Sequence, residues 1–174
     1  MRKLFGTDGI RGIANDILTP ELAFSLSQAT AQIWHKKTPS RPSIFIGKDT
    51  RHSGSMLESA MAAGFCSMGY DVHLLGEIPT PGVAWFVKNS EAIGGVMISA
   101  SHNPAPDNGI KLFNHLGEKL SDDDEVKIET WLAEPEIADR PTGGEVGVIR
   151  SGISPAPYLN ALCETVTSDL KTLK

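Results

Sequence analysis

The sequence predicts an α/β fold, three-layer α/β/α with a mostly parallel mixed sheet and one antiparallel strand. Two observations carry this. Short apolar runs at Ile44-Phe45-Ile46, at residues 70–75 and at Val96-Met97-Ile98 alternate with stretches whose apolar residues recur at helical spacing. The last of those runs is joined to Ile110-Lys111-Leu112-Phe113 by a connection too short for a crossover helix, so that strand must return antiparallel. The 174 residues are enough for one domain with a real core.

In chain order, Leu4-Phe5 is a short strand candidate broken by Gly6, and residues 7–12 form a loop in which two glycines allow close backbone approach. Arg11 lies inside that loop, and its planar guanidinium suits phosphate oxygens, although an isolated arginine is ordinarily a solvated surface residue. Thr19-Pro20-Glu21 starts a helix, with Thr19 as cap and Pro20 in the first turn. Leu22, Leu26, Ala29 and Ile33 give it an apolar stripe, and it should end near His35-Lys36-Lys37.

Residues 43–47 read as the next buried strand, running into the charged loop 48–53. Ser53 is placed to cap the helix that follows, whose stripe is Leu57, Ala60, Met61, Gly64, Phe65 and Met68. Lys48 and Arg51 either support an anion site or, for Arg51, pair with Asp49; the residues alone leave both open. After the strand at 70–75, Pro79-Thr80-Pro81 makes a stiff, non-helical loop before a helix over about 82–89. Asp107-Asn108-Gly109 is a turn signal, and Asn114-His115-Leu116-Gly117 is another. Ser121 followed by Asp122-Asp123-Asp124-Glu125 fits a helix N-terminus better than a metal site, because the acids lack the alternate spacing of a calcium loop. Residues 134–147 read as loop, and Pro155 onward, with Leu159, Leu162, Cys163 and Val166, as a final amphipathic helix. The domain is expected over 1–150, with 151–174 as a connector helix.

The net charge of −5 argues against a nucleic-acid surface, since a phosphate backbone needs a basic stripe; a single small anion needs only a local cluster. No run is long and apolar enough to span a bilayer, and residues following Met1-Arg2-Lys3 form no secretory apolar region, so no membrane association and a cytoplasmic location are expected. Cys66 and Cys163 both sit in apolar helical patterns and read as buried thiols. The five histidines are scattered and make no zinc pattern.

The stretch 94–113 concentrates the chemistry. Its strand stops abruptly at Ser99-Ala100-Ser101-His102-Asn103-Pro104, which displays Ser101 and His102 near a strand end, where ligands bind in open α/β sheets. Ser101 has three readings. It is a loop serine bonding local backbone, a hydrolase nucleophile, or a phosphoryl carrier. Against the hydrolase, adjacent residues of an extended segment face opposite ways, which places His102 poorly as a base, and the G-x-S-x-G elbow is missing.

Residues 98–104 (ISASHNP) with 107–111 (DNGIK) resemble the phosphoserine loop of the α-D-phosphohexomutases. Residues 47–54 (GKDTRHSG) and 79–82 (PTPG) match two further segments of that family in the same order, and 5–12 (FGTDGIRG) resembles its glucosamine-phosphate branch. The resemblance implies the first of four domains, carrying a Ser101 that passes a phosphoryl group to and from a hexose or hexosamine phosphate through a sugar bisphosphate, which also serves as activator. It further implies one Mg2+ held by the Ser101 phosphate and by an Asp-Gly-Asp-Gly-Asp-Arg loop that this sequence lacks, so the chain is expected to be an N-terminal fragment, inactive without the remaining domains. Arg11 and Lys111 are implied in charge stabilisation and proton handling, His102 in positioning, and Asn103 in fixing the loop. Glucosamine 6-phosphate and glucosamine 1-phosphate are the expected pair. Glucose or mannose phosphates are the alternative, as is a non-catalytic phosphosugar-binding module.

Overall fold

Why the strand ends gather at one edge follows from the order of the sheet. A computed structural model describes residues 4–34, 41–137 and 139–165. Along the chain run β1 (Ile10–Ile13), α1 (Pro20–Trp34), β2 (Ser43–Lys48), α2 (Gly54–Cys66), β3 (Asp71–Glu77) and α3 (Thr80–Lys88). Then come β4 (Gly94–Ile98), β5 (Asp107–Asn114), α4 (Asp122–Ala133), β6 (Ile149–Arg150) and α5 (Ala156–Glu164). The sheet order is β1-β5-β4-β2-β3-β6. β2 pairs parallel with β3 and β4, and β3 with β6, whereas β5 is antiparallel to both its neighbours. The expected mixed sheet with one antiparallel strand is the observed one.

Alternation within the buried strands sorts side chains into two cores. Ile44 and Ile46 of β2, with Val96 and Ile98 of β4, pack with Leu26, Leu57, Met61, Phe65 and Ile128 beneath α1, α2 and α4. Phe45 and Met97 face the other way, against Val83, Phe86 and Val87 of α3 and Tyr158 of α5. Among the described residues no helix is long and apolar enough to cross a membrane.

Several local expectations are corrected. Leu4-Phe5 is not a strand; the Leu4 and Phe5 backbone amides instead donate to Glu129 Oε1 at 2.7 and 2.8 Å, pinning the arm to α4. The first strand is Ile10–Ile13, overlapping the 7–12 segment read as loop, because it pairs with β5 from a distance that local pattern does not report. Thr80 and Pro81 are already helical: proline is tolerated in a first turn, where its missing N–H costs nothing. Asp107-Asn108-Gly109 belong to β5 rather than to a turn. β6 is a two-residue strand too short to leave a period. Ser53 flanks α2 but makes no capping bond; its hydroxyl accepts from Asn108 Nδ2 at 2.9 Å. Ser121 does cap α4, accepting from the Asp124 amide. Cys66 is buried, which pushes its thiol up to about 11, but Cys163 is exposed. The basic end of α1 at 35–37 and Val166 lie outside the described residues.

His73 is half-buried against the Phe45 ring, with centroids 5.2 Å apart. Burial, helped by Arg150 and opposed by Asp71, lowers its pKa below the ordinary 6.5. The unfolded chain therefore binds a proton that the folded chain resists once pH drops below about 6.5, and stability falls as pH falls through that window. We expect the urea midpoint to decline as pH falls below about 6.5, with a shallower decline in His73→Gln; identical slopes would contradict this. Truncating Ile98, which is fully buried, should cost about 2–5 kcal/mol in the same assay.

Candidate functional site

The carboxyl ends of β2, β3 and β4 lie level, because Lys48 pairs with both Glu77 and Ile98. The loops leaving these ends surround an open groove of about 550 Å³ lined by Asp49, Thr50, Pro79, Thr80, Ser99 and Ser101, among others. That is the edge at which open α/β sheets bind ligands.

Ser101 is exposed and adopts φ +56°, the left-handed region that a non-glycine residue enters only where its surroundings enforce it. Its amide donates to Ser99 Oγ at 3.0 Å. The left-handed turn removes the premise that Ser101 and His102 face apart. His102 Nδ1 lies 3.4 Å from Ser101 Oγ, at the outer limit of a hydrogen bond.

Two cations stand on one face of the adjoining strands. Arg11 pairs in register with Gly109, and Lys111 lies two residues further along β5, so the two side chains are diagonal neighbours. Asp8 bridges them, accepting from Arg11 Nη2 at 2.9 Å and from Lys111 Nζ at 2.7 Å. Arg11 Nη1 also donates to Asn103 Oδ1 at 3.1 Å, and Asn103 Nδ2 to Asp107 Oδ2 at 2.9 Å. The arginine is thereby tied to the Ser101 loop. Its Nε is buried with no hydrogen-bond partner among the described residues, a cost that functional sites retain more readily than finished cores.

This closeness depends on glycine. A Cβ on Gly109 would lie 2.4 Å from the Ser99 carbonyl oxygen and 3.3 Å from Arg11 Cγ, and one on Gly9 only 2.3 Å from the Ile110 oxygen. Behind the loop, the fully buried Asn108 holds its own strand to Ser53 through Nδ2 and accepts from the Gly109 amide at 2.8 Å.

Lys48 and Arg51 resolve differently. Lys48 points to the α2 side and pairs with the buried Glu58, away from the groove. Arg51 pairs with Asp49, Nε to Oδ2 at 3.1 Å, and also reaches across to the Ser101 loop. There Nη1 donates to the carbonyls of Pro104 (2.7 Å) and Asp107 (3.0 Å), and Nη2 to those of Ser101 and Asn103 (both 2.9 Å). Sequence reasoning missed Asp8 as the bridge and Arg51 as a holder of backbone carbonyls. The short spacing of Asp8 to Arg11 was a signal for the first; for the second, whose partners lie some fifty residues on, nothing local was.

The hydrogen bond from Lys111, with the Lys111 and Arg11 charges, holds the Asp8 carboxyl below its ordinary 3.8 against a smaller desolvation penalty. The stabilisation from ionised Asp8 is present above about pH 3.8 and is lost as pH falls through its lowered value. A carboxyl-detected NMR titration should give an Asp8 midpoint below 3.8, and Lys111→Met should move it upward; no movement would contradict the bridge.

This three-layer domain, with an exposed strained serine at the strand ends and two carboxylate-bridged cations of which Arg11 is tied to the serine's loop through Asn103, has known counterparts. Residues 2–138 match the family model for phosphoglucomutase/phosphomannomutase, alpha/beta/alpha domain I, and the chain belongs to that phosphohexomutase family. Among curated relatives, a phosphoglucosamine mutase of Desulforamulus reducens is 49% identical over 178 residues, and one of Alkaliphilus oremlandii 50% over 176. Both alignments cover all of this chain but 39% of the relative, so the chain spans about two-fifths of their length. A solved putative phosphomannomutase from Thermus thermophilus superposes with a TM-score of 0.80 at 26% identity, covering 98% of this chain and 38% of that one. A family protein from Burkholderia thailandensis gives 0.80 at 21% over 95% of this chain and 36% of that one, a likeness of fold alone.

Proposed function

We propose that this chain is the phosphoserine-bearing domain of an enzyme that interconverts glucosamine 6-phosphate and glucosamine 1-phosphate in the cytoplasm. The observation that carries the reading is Ser101, exposed in a left-handed turn of a loop that Asn103 ties to the Arg11–Asp8–Lys111 cluster. Residues 1–150 make up that domain, and the segment from 151, whose Tyr158 packs on the second core, leads toward further domains.

In the forward half-reaction a sugar hydroxyl attacks the phosphorus on Ser101. The Oγ–P bond breaks, a sugar O–P bond forms, and the hydroxyl's proton ends on the released Ser101 oxygen. The resulting sugar bisphosphate, also the activator, reorients and returns its other phosphoryl group to Ser101. A phosphoserine carries about −1.5 to −2 charges at neutral pH, and uncompensated charge of that size in a groove would be costly. Arg11 and Lys111 offset it and lower the cost of the charge that builds during transfer. Lys111, whose ammonium can give up a proton as guanidinium cannot, handles the proton at the leaving oxygen. His102, 3.4 Å from Oγ, orients that oxygen, and Asn103 fixes both Arg11 and the loop.

No group of three or more His, Cys, Asp or Glu gathers for a metal among the described residues. A phosphorylated Ser101 nevertheless offers hard oxygen donors of the kind magnesium takes, so this chain fits as the source of one ligand, with carboxylates from the rest of the protein completing the set. When bound, the ion would neutralise charge on the transferring group. The fragment alone is therefore expected to be inactive.

The amino-sugar assignment is supported by the higher identity to phosphoglucosamine mutases than to the putative phosphomannomutase. Phosphopeptide mass spectrometry of the intact protein treated with a sugar bisphosphate should find phosphate on Ser101. Phosphate only elsewhere would defeat the proposal. Lys111→Met should lower turnover roughly 10²–10³-fold, the scale for removing one charge-stabilising donor. The 174-residue chain with magnesium should show no turnover.

A further inference from the structure

A guanidinium has five N–H donors, and in Arg51 each one is already used inside the protein. Nε serves Asp49, and the four Nη hydrogens serve the carbonyls of Ser101, Asn103, Pro104 and Asp107. Asp49 also accepts from the Arg51 amide at 3.0 Å, which fixes where the side chain starts. Such a group has nothing left to offer a phosphate. It can set the shape of the segment on which the phosphate rides.

We infer that Arg51, anchored by Asp49, is the positioning residue that holds the Ser101 loop in its transfer-competent shape, a role that rests on the phosphoryl-carrier reading above. The four carbonyls span the loop from its serine to the first residue of β5, and one guanidinium plane gathers them. With the Ser101 oxygen drawn toward Arg51, the residue is held in its left-handed turn and its hydroxyl stays on the groove side. Lysine cannot substitute: three donors on a point charge cannot serve four carbonyls and Asp49 together. Arg11 is the contrast, with a buried Nε that has no hydrogen-bond partner among the described residues.

The test compares the intact protein with Arg51→Lys and Asp49→Asn. Backbone amide exchange is measured in residues 99–109 and in α2 and β4 as internal controls, and phosphate uptake at Ser101 is measured with glucose 1,6-bisphosphate. In Arg51→Lys, loop amides should exchange at least about tenfold faster while the controls hold. Maximal uptake should slow at least about tenfold, with the half-saturating bisphosphate concentration changing less than about threefold. Asp49→Asn should shift both readouts in the same direction by less, and it carries the test should Arg51→Lys not fold. Unchanged loop exchange overturns the inference, as does faster exchange with unchanged uptake. A rise in half-saturation at constant maximal rate also overturns it, since that would mark Arg51 as a ligand contact. If the unaltered protein takes up no phosphate at Ser101, the carrier reading fails and the transfer role with it, while the exchange data still decide whether Arg51 shapes the loop.

Discussion

A loop that leaves a buried strand and must hold one side chain in a costly conformation needs its carbonyls turned toward a fixed partner. Here the partner is the Arg51 guanidinium, which accounts for four of them at once. Backbone groups are otherwise satisfied largely by regular ladders, whereas residues 99–106 lie outside any strand and keep only scattered backbone bonds, such as Ser99 to Gly109 and Asn103 to Ala100. The sheet supplies the anchoring points: β2 delivers Asp49 and Arg51, β4 delivers Ser99 and Ser101, and their register makes the two ends coincide.

The second organising element is electrostatic. Asp8 is one carboxylate between two cations, and it holds them on one face of the β1–β5 pair without neutralising both. An incoming phosphate would meet side chains whose positions are already set, which reduces the reorganisation needed during charge transfer. The arm bearing Asp8 is itself tethered, through Leu4 and Phe5, to Glu129 of α4. A helix with no residue in the groove thereby contributes to where the cations stand.

Much of this was legible in the residues. The alternation of apolar runs with helical stripes led to the parallel sheet, and the short link from Ile98 to Ile110 led to the one reversed strand. The segment around Ser101 stood out because polarity changes so sharply there. What stayed hidden depended on long-range pairing. Ile10-Arg11-Gly12 reads as loop until β5 is laid beside it, and Ser53 reads as a helix cap until Asn108 claims its hydroxyl. Lys48 looked available for an anion, but strand alternation turns it toward Glu58. The expectation that Ser101 and His102 face apart assumed extended backbone, and the left-handed turn at Ser101 brings their polar atoms to 3.4 Å.

The central claim is that a phosphate on Ser101 would sit in the field of Arg11 and Lys111. Phosphorus NMR of the phosphorylated intact protein, titrated with pH, tests it most directly. The account predicts a phosphoserine resonance whose second ionisation falls below its free value of about 6 and rises toward it in Lys111→Met. An ionisation at the free value, indifferent to Lys111, would contradict the account.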